Sequence, residues 1–392
     1  MKAMIIGAGS EALHTIKKAH EQGLLITALD GNPDAEGLRA ADTGLVVDIS
    51  KERSVIETAQ RERPDFILTA PIGRYLTTVG AVNDALHLPG ISRQMAVLCT
   101  DKYRFHQKLQ EQSLRQSHCY AVGGEGGMHP EELRGGIIQG DLPLTFPAIL
   151  KPRFGSGSRG IHMIQNKEAL DLALENEEYV LEECVPGEEY GVDGAVICGR
   201  FYLVLLRRKE NTPPPARQAV GYFSVLPGGG FWRQVQDYME RIVSCLGLSE
   251  CLLHADIIES PDGPFIVEMS ARPSGHNLHN LFTPLCTGID MAEEYIRYRM
   301  GMSWSFTPAA TRRAAIHYFD MQGEVLEVPC AQQAQRAEAS LLDWKCNISQ
   351  GQVLAPVSDG HSLMGRGYFI LEGGEDDLPE KIGRIKALFR IR

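Results

Sequence analysis

The sequence predicts an α/β protein that opens on a doubly wound parallel sheet. Three observations carry this expectation. The first hundred residues alternate short apolar runs with helical ones, the β-α-β rhythm of an open parallel sheet. The turn Gly7-Ala-Gly-Ser-Glu-Ala12 joins the first run to a helix, and Asp30 closes the second run about twenty residues on. Further along, strands and hairpins dominate, which marks a change of architecture within the chain.

Taken in order, the strand at 3–6 leads into a helix from about Ser10, followed by a strand at 24–29, another at 45–47, a helix after Ser50 and a strand at 66–68. A boundary falls near Leu88-Pro-Gly90, after which Ser92 is placed to cap one helix and Thr100 or Asp101 the next. The Gly- and charge-rich stretch 123–140 reads as an exposed connection. A strand ends at Lys151, another runs from 179 to 183, and hairpins turn at Gly199-Arg200 and at Pro261-Asp-Gly263. Strands, a Gly-rich turn and a basic last helix from Leu378 close the sequence.

At 392 residues, 43% apolar and 23% charged, the chain has ample material for a buried core, which excludes disorder as its main state. A formal charge of −11 argues against a protein that coats nucleic acid or anionic lipid, so any phosphate must be held locally. Nine cysteines, none spaced C-x-x-C, suggest neither a disulfide framework nor a structural zinc site. No apolar run approaches the ~18 residues of a membrane span. Met1 and Lys2 lead into a strand instead of a signal peptide. The expectation is a soluble, cytoplasmic protein acting on small molecules, with neither nucleic acid nor membrane as a partner.

Four segments carry chemistry. Gly7 to Ala12 with Asp30 has the dinucleotide fingerprint, glycines bringing backbone close to a phosphate and an acid for ribose hydroxyls. That pattern supports an NAD-dependent oxidoreductase as a rival reading. In 254–270, symmetric pairing about Asp262 puts Asp256 opposite Glu268 and His254 opposite Ser270. Leu253, Ala255, Ile257, Phe265, Val267 and Met269 then share the core face. Opposed carboxylates repel unless a cation neutralises them, and a hard divalent ion suits oxygen ligands, so the pair suggests a metal site. Arg272 brings a guanidinium beside it.

The third segment is Lys151 followed by Gly155-Ser156-Gly157-Ser158-Arg159-Gly160, a loop able to fold over a polyphosphate but not a Walker A motif, because its lysine precedes the glycines. The fourth is the strand 179–183 and its acidic hinge. Backbone around Glu183 to Val185 can meet a purine edge there, and Glu189 can accept from ribose hydroxyls.

In this order the segments resemble the ATP-grasp superfamily of carboxylate-amine ligases, a group that includes L-amino acid ligases, carbamoyl-phosphate synthase large chains and phosphoribosylglycinamide synthetase-like proteins. The resemblance rests on Gly7-Ala-Gly9 with Asp30-Gly-Asn-Pro33, then Asp101-Lys102, Lys151 with its loop, Glu182-Glu183 with Glu188-Glu189, and Asp256 with Glu268-Met-Ser-Ala-Arg272. It implies an N-terminal Rossmann-like domain at 1–98, a central ATP-grasp subdomain at 99–180 and a C-terminal α+β subdomain at 181–392.

By the same resemblance, Lys102, Lys151 and the loop residues Gly155, Ser156, Gly157, Ser158 and Gly160 contact ATP phosphates. Glu182, Glu183, Cys184 and Val185 flank adenine, and Glu189 holds ribose. Asp256, Glu268 and Ser270 bind Mg2+, with Mn2+ as an alternative; Ser270 stands where many relatives have Asn. Arg272 and Lys151 are the catalytic candidates, while Arg272, Ser274 and His276 lie where the acceptor substrate belongs. The implied reaction activates a small carboxylate, such as an amino acid, as an acylphosphate that an amine then attacks. Similar proteins commonly form homodimers. A nucleotide-binding protein without catalysis is a further alternative, hinted at by Ser270. Arg207, Arg208, Lys209, Arg217, Tyr222, the 213–215 prolines and Arg366 are further candidates for the phosphate or substrate pocket, and His254 is a candidate to orient Asp256.

Overall fold

The computed structural model describes residues 1–392 apart from 156, 158, 174–177 and 214–216. Ser156, Ser158 and two of the three prolines at 213–215 therefore lie outside the described residues. The chain divides into two compact units, one formed by Met1–Gln116, Gly191–Leu206 and Gly228–Ala310, the other by Ser117–Tyr190, Arg207–Pro227 and Thr311–Arg392.

The first unit opens on the predicted parallel sheet, with strands in the order Thr43–Val46, Leu25–Asp30, Lys2–Ile6 and Phe66–Leu68. Strand Lys2–Ile6 is buried over four successive residues, as expected of a parallel strand covered on both faces. The first helix starts with a 3-10 turn at Ser10–Ala12 and continues as Leu13–Glu21. Ser92 Oγ accepts from Met95 N (3.1 Å), and Asp101 caps helix Lys102–Glu111 by accepting from Tyr103 N and Arg104 N (3.1 and 3.2 Å). Thr100 instead donates its hydroxyl back to Ala96 O. This unit also contains strands Cys251–Ser260 and Gly263–Ser270, which continue the sheet order through Glu188–Ile197 to Arg200–Asn211.

Those last two strands change unit part-way along. They are joined by the two-residue turn Cys198-Gly199, where both φ angles are positive (50° and 78°), the geometry that matches strand twist in a tight hairpin. The core of the first unit packs Ile5, Ile16, Phe66 and Leu68 with Ala195, Val204, Leu252, Ile296 and Phe306.

The second unit has a four-stranded sheet of its own and the remaining strands of the eight-stranded sheet that begins at Gly263–Ser270. The four-stranded sheet orders Cys119–Val122, Tyr179–Glu183, Ala148–Pro152 and His162–Ile164. The remaining strands run from Arg200–Asn211 through Ala219–Val225, Ala314–Tyr318 and Gly367–Glu372 to Leu341–Cys346. A short three-stranded sheet and the last helix, Leu378–Lys386, complete it.

Residues 123–140 are not the exposed connection the sequence suggests. After a turn they form helix Pro130–Gln139, which buries Leu133 and Ile137 against Leu150, Tyr179 and Leu181. Pro130 opens it, Glu131 and Glu132 sit in its first turn, and Gly140 ends it at φ 86°. These are ordinary helix start and stop signals, masked by Gly135-Gly136 in the middle of the element.

Candidate functional site

The Cys251–Ser260 and Gly263–Ser270 strands pair as the symmetric register requires: His254 faces Ser270, Ala255 faces Met269 and Asp256 faces Glu268. The next pair is Ile257 with Ile266, so a β-bulge leaves Val267 as the extra residue. This corrects the predicted core face. Ile266 and Met269 are buried, whereas Phe265 and Val267 are not fully so, and Phe265 lies under the Arg115 guanidinium at 4.7 Å. The Val267 carbonyl meets His106 Nε2 at 3.0 Å.

On the acidic face, Lys102 Nζ lies 3.6 Å from Glu268, and His254 Nε2 lies 3.6 Å from Asp256. The other ring nitrogen of His254 is 3.2 Å from Val192 O and 3.6 Å from Asp193. Asp193 is wholly buried and accepts from Thr283 Oγ1 at 2.8 Å. Two opposed carboxylates beside a serine hydroxyl are an oxygen-donor set that suits a hard divalent cation. One flanking lysine offsets part of their repulsion.

Arg272 is half-buried and interacts electrostatically with Glu268, Glu11, Asp256 and Asp193. Burial lowers its pKa, and those four carboxylates oppose the effect. Its Nε donates to Ile72 O at 3.0 Å and its Nη1 to Pro273 O at 2.8 Å. Ile72 is also what makes Gly7 necessary. Gly7 has φ +90°, and a Cβ there would run into the Ile72 side chain, while Gly9 would meet nothing. Asp30 locks the same turn, its Oδ2 accepting from Ala8 N (2.7 Å) and its Oδ1 from Asn32 N (2.8 Å). Both oxygens of the acid that a dinucleotide reading assigns to ribose are thus engaged in holding the turn.

Beyond Arg272 the chain bends sharply. Ser274 is 1% exposed, its hydroxyl without a hydrogen-bond partner among the described residues, and His276 and Asn277 both take left-handed φ (65° and 60°) before a wide π-type turn at Leu278–Phe282. His279 within that turn bonds to the Ser274 carbonyl through Nδ1, and burial pulls its pKa down to about 4. The His276 amide donates to Glu11 Oε1 at 2.8 Å. Glu11 and Asp193 escaped the sequence reading because their partners here are remote in the chain.

In the second unit, Lys151 and Glu182 form an ion pair, both groups nearly inaccessible to solvent. Neighbouring strands bring them together: Lys151 pairs with Val180 and Ile149 with Glu182. Gly155, Gly157 and Gly160 all take positive φ. Arg153 is buried and donates to Glu125 O at 2.7 Å. For Glu183, burial raises the pKa but is outweighed by the His118 amide and ring (3.0 and 3.2 Å) and the Thr145 hydroxyl (3.0 Å), so the carboxyl sits below its usual range. Burial pushes the Cys184 thiol up. Cys184 and Val185 are half-buried, and Glu189 is ion-paired with Arg217.

Three basic candidates contact other parts of the second unit. Arg366 is buried and donates to the carbonyls of Met321 (2.8 Å) and Ala355 (2.6 Å), which leaves it no role in presenting charge to a ligand. Arg207 is fully buried with its guanidinium 5.1 Å from the Tyr222 ring, and Arg208 lies over Phe223 while paired with Glu375.

The family model described as ATP-grasp domain matches residues 99–276. Carnosine synthase 1 of Gallus gallus is 24% identical over 310 residues, covering 71% of this chain and 33% of that protein. The chain spans from 33% to 54% of the length of the first three curated relatives it matches. Among solved structures, L-amino acid ligase from Bacillus licheniformis superposes with a TM-score of 0.79 at 16% identity, covering 100% of this chain and 98% of that one. The ADP complex of N5-carboxyaminoimidazole synthetase from Staphylococcus aureus gives 0.73 at 14% identity, covering 98% and 96%.

Proposed function

The chain is a member of the ATP-grasp superfamily through residues 99–276, and from that premise we propose that it is an ATP- and Mg2+-dependent ligase. It activates a small carboxylate as an acylphosphate, joins it to an amine, and releases ADP and phosphate. The observation that carries the reading is the register pair Asp256 and Glu268, two acids held face to face beside Lys102 and Arg272.

In this reading Lys151, Lys102 and the loop of Gly155, Ser156, Gly157, Ser158 and Gly160 hold the phosphates of ATP. Glu182, Glu183, Cys184 and Val185 border adenine. Glu189 takes the ribose hydroxyls, exchanging its pairing with Arg217 for them. Asp256, Glu268 and the Ser270 hydroxyl hold the metal, Mg2+ or Mn2+, which when bound supplies charge neutralisation at the triphosphate. Arg272 meets the transferred phosphoryl, with two of its donors fixed on backbone carbonyls so that little reorganisation is needed. Ser274 and His276 line the substrate.

The carboxylate oxygen attacks the γ-phosphorus, the bond to the β–γ bridging oxygen breaks, and ADP leaves. The amine then attacks the acyl carbon, expels phosphate and loses a proton to give the amide. Water must be excluded while the acylphosphate exists, a task suited to the glycine loop. The division into 1–98, 99–180 and 181–392, small-molecule partners, a homodimer and a cytoplasmic location belong to the same proposal; among the described residues no helix is long and apolar enough to cross a membrane.

The test is ADP release across pairs of carboxylates and amines, with Glu268→Gln as control. Release that needs Mg2+ and a carboxylate, and that the variant lacks, supports the ligase. ATP binding without turnover on any pair supports a non-catalytic nucleotide-binding protein, and an absorbance change with a nicotinamide cofactor supports an oxidoreductase.

A further inference from the structure

Arg207 and Arg208 are neighbours on one strand, so their side chains leave the sheet on opposite faces. Arg207 lies at the Tyr222 ring. Arg208 lies instead 4.5 Å from the ring of Phe223, which belongs to the core formed with Phe369, Leu371 and Leu378. At the rim of that core is a cavity of about 120 Å³, wholly within the second unit. It shares no lining residue with the nucleotide, metal and substrate groups of the proposed ligase. Arg208, Arg313 and Glu375 are its charged walls, and Phe223, Leu226 and Leu378 its main apolar ones.

The two arginines are held in different ways. Arg208 is stacked on Phe223, and its Nε is 3.1 Å from Glu375 Oε1 yet has no hydrogen-bond partner among the described residues. At Arg313 the backbone is fixed instead. The Ser224 hydroxyl donates to Arg312 O and accepts from Ala314 N, both at 2.9 Å, and the Gly373 amide donates to Arg313 O at 3.0 Å. The Arg313 side chain is exposed and has no hydrogen bond or ion pair among the described residues, whereas the adjacent Arg312 pairs with Glu372 at 3.6 Å. A segment clamped on both sides thus holds Arg313 at the cavity wall and gives its guanidinium no acid.

Glu375 is the one acid in this wall, and 71% of its side chain is exposed, so it turns aside at little cost. With Glu375 in place the wall carries one net positive charge. With Glu375 in solvent it carries two, which a dianion balances. Guanidinium groups bind phosphate and carboxylate oxygens in a planar, bidentate fashion. The cavity has the volume of about four liquid waters, which admits inorganic phosphate and excludes a nucleotide.

We propose that this cavity is a binding site for a small tetrahedral dianion such as inorganic phosphate, held by Arg208 and Arg313 in exchange for Glu375. The site uses no residue of the ligase reading and stands or falls apart from it.

The test is calorimetric titration of the full chain with inorganic phosphate, with and without Mg2+ and a saturating non-hydrolysable ATP analogue. Wild-type protein should show one saturable site that persists with the analogue present and for which sulfate competes and acetate does not. Arg313→Gln should weaken phosphate binding at least about tenfold, and Glu375→Gln should strengthen it at least about twofold. Arg312→Gln, which removes the neighbouring exposed charge, should leave it within about twofold. All three side chains are exposed, so each variant keeps the fold. The proposal is overturned if no saturable phosphate binding is found, if the ATP analogue abolishes it, or if acetate competes as well as sulfate. It is equally overturned if Arg313→Gln leaves binding unchanged, if Glu375→Gln fails to strengthen it, or if Arg312→Gln weakens it as much as Arg313→Gln, the mark of diffuse surface charge. Failure of the ligase reading is seen in the ADP assay and leaves these outcomes as they are.

Discussion

Asp256 and Glu268 face each other at the last regular pair of their hairpin before the chain bulges at Val267. The bulge turns Ile266 into the core while keeping Glu268 on the face it shares with Asp256. A strictly regular ladder continuing the Asp256–Glu268 register would put Val267 opposite Ile257, on the core side. The acidic pair and the bulge are therefore one local design, in which repulsion is accepted at a single position.

Removing one charge of that pair separates metal binding from folding. Glu268→Gln should weaken Mn2+ binding, read by paramagnetic relaxation of water or by calorimetry, at least about tenfold. Its thermal midpoint should stay within about 4 °C of wild type, because the side chain is partly exposed and its neighbour Lys102 is 3.6 Å away. Unchanged Mn2+ affinity would reject the metal assignment.

Lys151 and Glu182 form a buried pair, and breaking it from one side leaves an uncompensated charge. Lys151→Met alone should cost about 3–5 kcal/mol in urea unfolding, and Lys151→Met with Glu182→Met substantially less than the sum of the two single changes. Additive losses would show that the two side chains are energetically independent.

Gly7 and Gly9 look alike in the sequence but differ in what they tolerate. Gly7→Ala forces a left-handed residue against Ile72, whose carbonyl anchors Arg272, and should lower stability by about 1–3 kcal/mol. Gly9→Ala should change it by less than about 1 kcal/mol. A thermal shift comparison of the two reads this directly; equal effects would mean that the Ile72 contact is unimportant.

His279 predicts acid sensitivity. Its pKa is depressed to about 4 by burial, from an ordinary value of 6.5, so the unfolded chain binds the extra proton first. The stability it contributes is complete above about pH 6.5 and is lost as the pH falls towards 4. His279→Gln should flatten the dependence of unfolding free energy on pH across that window. A slope identical to wild type would show that another group sets it.

Much of the fold was legible because its signals are local. Asp101 and Ser92 announced their helices, and symmetric pairing about Asp262 opposed Asp256 and Glu268, although the loop itself pairs Ser260 with Gly263 and only the bulge brings Glu268 opposite Asp256. The bulge was not legible, since Phe265-Ile-Val267 is apolar throughout and gives alternation nothing to mark. Helix Pro130–Gln139 was missed although its caps were present, because two central glycines weaken the helical pattern. The contacts of Glu11 with His276 and of Asp193 with Thr283 join residues 265 and 90 positions apart, beyond what periodicity can register. Arg366 was a ligand candidate because a basic group in a Gly-rich turn suggests exposure, whereas its three carbonyl partners come from two remote stretches of the second unit, 319–321 and 355.

The most direct test follows the oxygen atoms. With an oxygen-18-labelled carboxylate that supports ADP release, phosphate freed during amide formation should carry one oxygen-18 atom from that carboxylate, as attack on the γ-phosphorus requires. Phosphate released in step with amide formation but without the label would contradict carboxylate activation by phosphoryl transfer.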